Sequence, residues 1–423
     1  MHLVAHDGML FAAVGYWEDT ANIYYGGTNS SQGWAQILRQ DGPNSQWAVD
    51  LTMTGVVRPE ILKSVTFTTN ATGVPLSQPV NLLLAAGCAG GVNLYTRNDT
   101  TGSWVTSKIV PGPVANCSVR AMTTYQDPVT GVDRVFVSVG TLGIFSGAYD
   151  PAAPGDVLWG RTSESGNVSV RPLAIVEANG NLLASAGALV YERVNGPSAS
   201  WKVIVNETGL PGGGAVVSAV GGIRGLTAIP NPNGSGQSLL FLWCPGDAPC
   251  GTVVRLDPNG SGGYNRTTEI DLSNLVSKFL GTTAGVALGA YNNFLPVTDP
   301  ATGQTDYIIG LQTWVSAKSG LPTMPWANSS SGIYEGALYA IRESNGTYRM
   351  GQVNGMFPAG NPPLEAIRSY TISPFASDNG SVIYFGGYDA DGHPCLNTAW
   401  VFRTTLVNAL SDVANGHSAV DVG

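Results

Sequence analysis

One cycle of strands and turns recurs about seven times along the 423 residues, and a chain so built has few folds open to it. Each cycle has an apolar strand, a Gly/Asn/Asp turn and a second apolar strand that ends in small residues. A third strand, a polar turn and a strand opening on an aromatic complete it. Second strands are expected at Met9–Gly15, Val80–Gly87, Arg134–Gly140, Asn181–Gly187, Ser238–Cys244, Tyr307–Thr313 and Val382–Asp389. Third strands follow at Ala35–Arg39, Val92–Thr96, Gly143–Gly147, Ala188–Arg193, Thr252–Leu256, Ala337–Arg342 and Ala399–Arg403. Fourth strands open on Trp47, Trp104, Trp159, Trp201, Tyr264 and Tyr348. A four-stranded unit repeated in this way is the blade of a β-propeller. The expected fold is all-β: a seven-bladed β-propeller with four-stranded antiparallel blades, the last showing no clear fourth strand. The blades fall at approximately 1–55, 56–112, 113–168, 169–218, 219–280, 281–355 and 356–410, one domain over 1–410. Residues 411–423 read as a loose tail.

Turn chemistry supports the cycle. Asp127-Pro128-Val129-Thr130-Gly131 and Asp299-Pro300-Ala301-Thr302-Gly303 join first to second strands. Pro sets φ for a type I turn and Gly supplies the positive φ that closes it. Second strands such as Leu82-Leu83-Leu84 and Leu239-Leu240-Phe241 are apolar on both faces, as side-by-side blades require. The aromatic opening each fourth strand is expected to cover the outer edge of its blade.

Charged residues are 12 % of the chain and the formal net charge is −9, which argues against non-specific nucleic-acid binding. No apolar run reaches the roughly 18 residues a membrane span needs. Of five cysteines, Cys244 and Cys250 flank a short Pro/Gly hairpin and are expected to form a disulfide. Cys88 ends a second strand and Cys117 precedes the next blade, so those two can also meet; Cys395 is then left over. Disulfides imply an oxidising compartment. Asn-x-Ser/Thr sequons occur at Asn29, Asn70, Asn98, Asn116, Asn167, Asn206, Asn233, Asn259, Asn265, Asn328, Asn345 and Asn379, nearly all in turns. Such turns also create sequons by accident. Met1–Phe11 aligns with the fourth repeat, Ala174–Leu183, from the middle of a first strand onward. The chain is thus expected to begin inside a blade, with a preceding piece that would carry a signal peptide, complete the last blade and partner Cys395. The expected location is extracellular.

A basic residue recurs before each first strand: Lys63, Arg120, Arg171, Arg224 and Arg368, with Ala287 at that place in the sixth repeat. First strands line a propeller's channel, so these cations should ring one mouth. They serve either as an anion site for carboxylate, sulfate or phosphate or as bridges to a carboxylate or carbonyl of the neighbouring blade. Glu60 and Glu365 stand before Lys63 and Arg368 and fit either an acid–base role or a Glu–Arg bridge. The repeats diverge most in three loops, Tyr16–Trp34, Trp314–Gly336 and Tyr388–Thr398. They carry Trp17, Tyr24, Tyr25, Trp314, Trp326, Tyr334, Asp389 and His393, the make-up of a ligand-binding face or of loops packed on themselves. Asp389-Ala390-Asp391-Gly392 lacks the remaining ligands of a calcium loop, and His2, His6, His393 and His417 are scattered. No metal and no cofactor is expected, and no nucleophile elbow or phosphate loop is found.

The repeats Val119-Arg120-Ala121-Met122, Ile223-Arg224-Gly225-Leu226 and Ile367-Arg368-Ser369-Tyr370 resemble secreted propeller proteins of uncharacterised function. They differ from Trp-Asp and kelch signatures. The resemblance implies a fold and a location, with no catalytic residues to carry over. The expected function is extracellular binding of carbohydrate or a surface protein at the mouth bearing the long loops, by a monomer. The alternative is a lyase or hydrolase acting on an anionic polysaccharide or a lactone-like substrate, with Arg120, Arg224 and Arg368 holding the anion and Glu365 or His393 moving the proton. A third possibility is an interaction scaffold.

Overall fold

The computed structural model describes residues 1–15, 34–114, 117–210, 214, 216, 221–246, 248, 251–289, 292–316, 332–334, 337–353, 366–389 and 398–411. Five four-stranded antiparallel meanders come first. β1 (His2–His6), β2 (Met9–Val14), β3 (Gln36–Gln40) and β4 (Ala48–Thr52) form the first sheet. The second contains β5 (Ile61–Thr69), β6 (Pro75–Cys88), β7 (Gly91–Asn98) and β8 (Ser103–Pro111). The third contains β9 (Met122–Gln126), β10 (Asp133–Val139), β11 (Gly143–Tyr149) and β12 (Val157–Trp159). β13 (Pro172–Ala178), β14 (Asn181–Ala186), β15 (Leu189–Val194) and β16 (Ser200–Asn206) make the fourth. β17 (Gly222–Pro230), β18 (Gln237–Cys244), β19 (Thr252–Pro258) and β20 (Tyr264–Asp271) make the fifth.

The remaining strands are hydrogen-bonded as one composite sheet. β21 (Ala284–Gly289), β22 (Leu295–Thr298), β24 (Gly332–Tyr334) and β25 (Leu338–Arg342) all pair with the long β23 (Thr305–Ser316), and β26 (Tyr348–Gln352) pairs with β25. β27 (Ala366–Ile372), β28 (Val382–Asp389) and β29 (Thr398–Thr405) follow in order. β27 shares ladder pairing with β23 at one position, where Ala366 faces Gln312, and Ile367 packs against Gly310 beside it. The architecture is mostly β, built from repeated four-stranded antiparallel sheets, and is consistent with a β-propeller.

Three features depart from the sequence expectations. Trp159 closes β12 rather than opening it, because that outer strand is only three residues long. The long loop expected from Trp314 starts as a ribbon, with β23 running on to Ser316 and β24 returning beside it. An unanticipated helix, α1 (Leu272–Leu280), follows β20. Asp271 caps it by accepting the Asn274 N–H, Gly281 ends it in the left-handed region, and Leu272 and Val276, one turn apart, bury one face. The last three strands end in the short α2 (Leu406–Leu410), and the described residues show no fourth strand beside β29.

The sheets are held face to face by apolar clusters. Phe11, Ile37, Leu83 and Ala85 join the first and second sheets. Leu84, Val92, Val135 and Val137 join the second and third, and Phe136, Ile144, Leu182 and Ala184 the third and fourth. Val190, Leu183, Phe241 and Val254 join the fourth and fifth, and Leu240, Leu242, Ile309 and Leu311 carry the core on to β23. Ile308, Ile341, Ile383 and Phe385 link β23 and β25 to β28. Leu3, Leu10 and Ala12 then meet Phe375, Val382 and Tyr384, so the first sheet packs on the last strands. The Leu3 N–H donates to Ser369 Oγ at 2.7 Å across that same junction. Small residues end the second strands because neighbouring sheets converge there. A Cβ on Gly310 would stand 2.5 Å from Ile367, so Gly310→Ala would push two sheets apart.

Arginines at the outer ends of three third strands, Arg97, Arg193 and Arg342, fasten their sheets to the one before. Asp50 on β4 accepts Arg39 of its own sheet at 2.7 Å, and Arg97 and Trp104 Nε1 of the next at 2.9 and 2.7 Å. Glu269 on β20 repeats the arrangement, with Arg255 at 2.5 Å, Arg342 at 2.7 Å and Tyr348 at 2.5 Å. Arg97 and Arg193 also lie over Phe11 and Phe136 of the preceding sheets, 5.2 and 5.1 Å from the ring centroids. Two of the fourth-strand aromatics, Trp104 and Tyr348, therefore donate to a neighbour's carboxylate as well as covering an edge.

The Asp127 turn forms a third such contact. Gly131, at φ 69°, donates to the Asp127 carbonyl at 2.7 Å and closes the turn. The Asp127 side chain, fully buried, accepts Arg193 at 2.7 Å and the Gly196 N–H at 2.9 Å from the next sheet. Burial pushes this carboxyl up, but the Arg193 bond and the N–H groups of Gly196, Val129 and Thr130 outweigh it and hold the pKa down at about 2. A depressed carboxyl pKa contributes stability that is present above the unfolded value and lost as pH falls through the folded one. Asp127→Asn should therefore cost ~2 kcal/mol near neutral pH, and the gap to the parent should close between about pH 4 and pH 2. Urea unfolding of both proteins across that range checks it; a gap that stays constant to pH 2 contradicts it.

Candidate functional site

The inner strands converge on a central cavity of about 520 Å3. Its lining comes from β1, β5, β9 and the two residues before it, β13, β17, the start of β18, β27 and residues 292–296 before and within β22. Lys63, Arg120, Glu177, Gln237, Asn292 and Asn293 supply polar side chains, and Thr123, Thr227 and Ser369 add hydroxyls. Phe294 and Tyr370 give it apolar walls.

The five basic residues do not behave alike. Arg224 is 1 % exposed, and its Nε donates to the Gly289 carbonyl across to β21 at 3.0 Å. Arg171 reaches back to Ser118 Oγ, before β9, at 3.1 Å. Arg120 lines the cavity, with Glu60 3.8 Å away. Glu60 is buried and also accepts Arg58 at 2.8 Å and the Val119 N–H at 3.2 Å, so the Glu–Arg bridge is the arrangement its geometry gives. Arg120 and Arg368 both act on His2, whose imidazole is held well below its ordinary pKa by burial first, then by the Met1 amine and these two guanidiniums. Both guanidiniums therefore lie close enough to His2 to act on its charge. Lys63 is solvent-exposed in the cavity. Desolvation in the channel lowers its ammonium pKa.

Strand irregularity explains part of this difference. Register shifts fall at Arg224/Thr227 and Ile367/Ser369, so an extra residue re-aims the chain beside Arg224 and at Arg368. Gly225, in the first of these bulges, lies at φ 62° with the Asn292 carbonyl 3.1 Å from where a Cβ would stand. β5 pairs without a break from Ile61 to Phe67, so Lys63 keeps the channel-facing side of a regular strand. In the sixth repeat the channel position belongs to Asn292, not to Ala287. Ala287 is fully buried in β21, and the inner strand is interrupted before β22. Asn292 stands as far before Asp299 as Arg120 before Asp127, so the signal was available by counting back from the turn.

The structure also assembles a group that the sequence did not single out. His6, at the end of β1, bonds Ser64 Oγ through Nδ1 at 2.8 Å and Asp99 Oδ2 through Nε2 at 2.9 Å. Arg97 holds the other Asp99 oxygen at 2.6 Å. His6 is 4 % exposed, and the relay ties the first sheet to the second. At the junction of the third and fourth sheets, Tyr125 and Asn195 make the corresponding contact at 2.9 Å, with Arg193 on Asn195 at 3.0 Å. The recurrence marks the His6 chain as an inter-sheet tie.

Most of the loop residues proposed for ligand contact, Trp17, Tyr24, Tyr25, Trp326 and His393, lie outside the described residues, as does Glu365. Trp314 is half-buried and its ring lies over Gly285, 2.6 Å from where a Cβ would stand. Tyr334 pairs with Trp314 in β24, and Asp389 ends β28. Cys88 and Cys117 form a disulfide with Cα atoms 6.1 Å apart. Cys244 is buried, and Cys250 and Cys395 lie outside the described residues. Among the described residues, no group of three or more His, Cys, Asp or Glu could hold a metal ion, and no helix is long and apolar enough to cross a membrane.

No family model matches the chain, and no curated protein matches it. Solved structures give distant matches. A fungal alcohol oxidase of the AA5 family, in complex with copper, is 12 % identical over 95 % of this chain and 72 % of its own, with a TM-score of 0.46. The Aleuria aurantia lectin bound to α-methyl-L-fucoside is 13 % identical over 85 % of this chain and 96 % of its own, with a TM-score of 0.35. PorZ, a surface component of the type-IX secretion system of Porphyromonas gingivalis, is 13 % identical over 96 % of this chain and 59 % of its own, with a TM-score of 0.39. At these values none carries an argument about the site.

Arg224 separates the two roles of the basic ring. Arg224→Met should lower stability by about 1–3 kcal/mol, because the Gly289 carbonyl is left buried without its donor. Thermal and chemical unfolding measure this; a variant as stable as the parent would return Arg224 to the candidate ligand contacts.

Proposed function

We propose that this chain is an extracellular seven-bladed β-propeller, a single domain over 1–410, that binds carbohydrate at the channel mouth carrying its long loops. The observation that carries the reading is the central cavity. Its volume of about 520 Å3 suits one or two sugar residues. Its lining of amides, hydroxyls and a few charges beside Phe294 and Tyr370 suits a ligand with many hydroxyls and apolar ring faces. A protein partner would need a broad surface rather than a channel of this size.

The blade count is supported by seven apolar clusters, each joining consecutive sets of strands, the last returning to β1 and β2. In that reading β21–β26 and β27–β29 are separate blades that pack through an apolar cluster and share ladder pairing at one residue pair. Secretion is supported by the Cys88–Cys117 bridge. The nine described sequon asparagines support glycosylation: Asn98, Asn167, Asn206, Asn233, Asn265, Asn345 and Asn379 are exposed, and Asn70 and Asn259 half-buried. A monomer is our reading of the assembly.

The loop aromatics Trp17 and Trp326 extend the site above the channel in this proposal. Trp17→Ala and Trp326→Ala should each weaken binding to the glycans that the parent retains on an array by about 1–3 kcal/mol, with melting temperature nearly unchanged. Variants that melt several degrees earlier and bind as the parent does once folded would make these rings loop packing.

A further inference from the structure

We infer that the channel mouth selects an acidic sugar, with Lys63 as the side chain that meets its carboxylate or sulfate and Arg120 beside it in the same wall. This inference rests on the reading of the channel as a carbohydrate site and names the class of sugar. Lys63 has no hydrogen-bonding or ionic partner among the described residues, and it is exposed to the channel that it lines. Arg171 and Arg224, at the same place in their repeats, are turned onto Ser118 Oγ and the Gly289 carbonyl. β5 presents its cation from a stretch that pairs without a break from Ile61 to Phe67, its register shifting only beyond that at Phe67/Thr69, and Lys63 lines the channel.

The charges around it point the same way. Arg120 and Arg368 approach the mouth at His2, while the nearby Glu60 is already occupied by Arg58 and the Val119 N–H. Glu177, the one carboxylate among the described lining residues, stands near the far end of β13, whereas Lys63 stands near the start of β5. The mouth is thus cationic in a chain of formal charge −9. Depth matters for the ammonium: partial desolvation disfavours its charged form when empty. An arriving anion would restore that lost stabilisation, so a neutral sugar gains less there than an acidic one. Asn292 and Asn293 supply amides for the neighbouring hydroxyls.

The test is an array bearing neutral, uronic-acid and sulfated oligosaccharides, probed with the parent, Lys63→Gln and Lys63→Arg. Each variant's melting temperature is measured in parallel, and affinities are taken at two salt concentrations. The parent should retain acidic members, more weakly at the higher salt. Lys63→Gln should lose roughly tenfold in affinity for them at an unchanged melting temperature, and Lys63→Arg should keep most of it. The carboxylated and sulfated sets report which acid the mouth prefers. Retention of neutral glycans alone, equal in parent and Lys63→Gln, would overturn the acidic-sugar inference and leave the carbohydrate reading standing. Acidic glycans bound equally by parent and Lys63→Gln would overturn the role of Lys63. No glycan retained by the folded parent would overturn the carbohydrate reading and this inference with it.

Discussion

A carboxylate on one sheet's fourth strand, shared by an arginine of its own sheet and an arginine of the next, fixes how neighbouring sheets stand. Asp50 and Glu269 are both nearly buried, and each accepts two guanidiniums and an aromatic donor. Burial alone would push Glu269 up; the bonds from Arg342, Tyr348 and Arg255 bring it below its ordinary value, so it is held charged where it lies. A buried ion set of this kind is costly to assemble and more costly to break by halves, because the surviving guanidiniums are left without a counter-charge. Apolar packing between sheets is permissive about sliding. The directed bonds at the outer ends are not, and they set the angle at which the inner strands meet.

That angle determines the channel. Inner strands from seven segments reach one cavity only if every sheet boundary keeps the same geometry. At the sheet edges most recurring cations are absorbed into this task. Arg97, Arg193, Arg255 and Arg342 meet carboxylates, and Arg224 meets a carbonyl. Lys63 and Arg120 are the cations of the inner ring that line the channel, Arg120 with Glu60 3.8 Å away, and the proposed recognition of an acidic sugar follows from that difference.

The strand cycle was legible because two-sided burial writes near-continuous apolar runs, and the runs at Leu82–Leu84 and Leu239–Phe241 became the cores of β6 and β18. The Asp127 and Asp299 turns were legible because Pro fixes φ and Gly takes the positive φ that closes the turn. Cys88 and Cys117 were adjacent on the repeat map and are bridged. The third-strand arginines were visible as letters, but their partners were not, since a contact between Arg97 and Asp50 depends on the angle between sheets. The same is true of His6, Ser64 and Asp99, which meet from three separate strands and turns. The helix α1 had its Asp271 cap and Gly281 stop in plain view and was hidden by the assumption of unbroken repeats. Nothing local distinguishes Lys63 from Arg368; the position of the bulge does so, at Arg368 itself in β27 and beyond Lys63, at Phe67/Thr69, in β5.

The stability of Glu269→Gln, measured by equilibrium denaturation against the parent at neutral pH, tests most directly whether the buried carboxylates hold the sheets in place. The substitution keeps size and shape while removing the charge that Arg255 and Arg342 share. A loss of about 3–5 kcal/mol is expected, with Glu192→Gln, which breaks only the Lys202 pair on an exposed edge, costing under about 1 kcal/mol. Equal and small losses for the two variants would contradict the claim that these buried carboxylates hold the sheets in place.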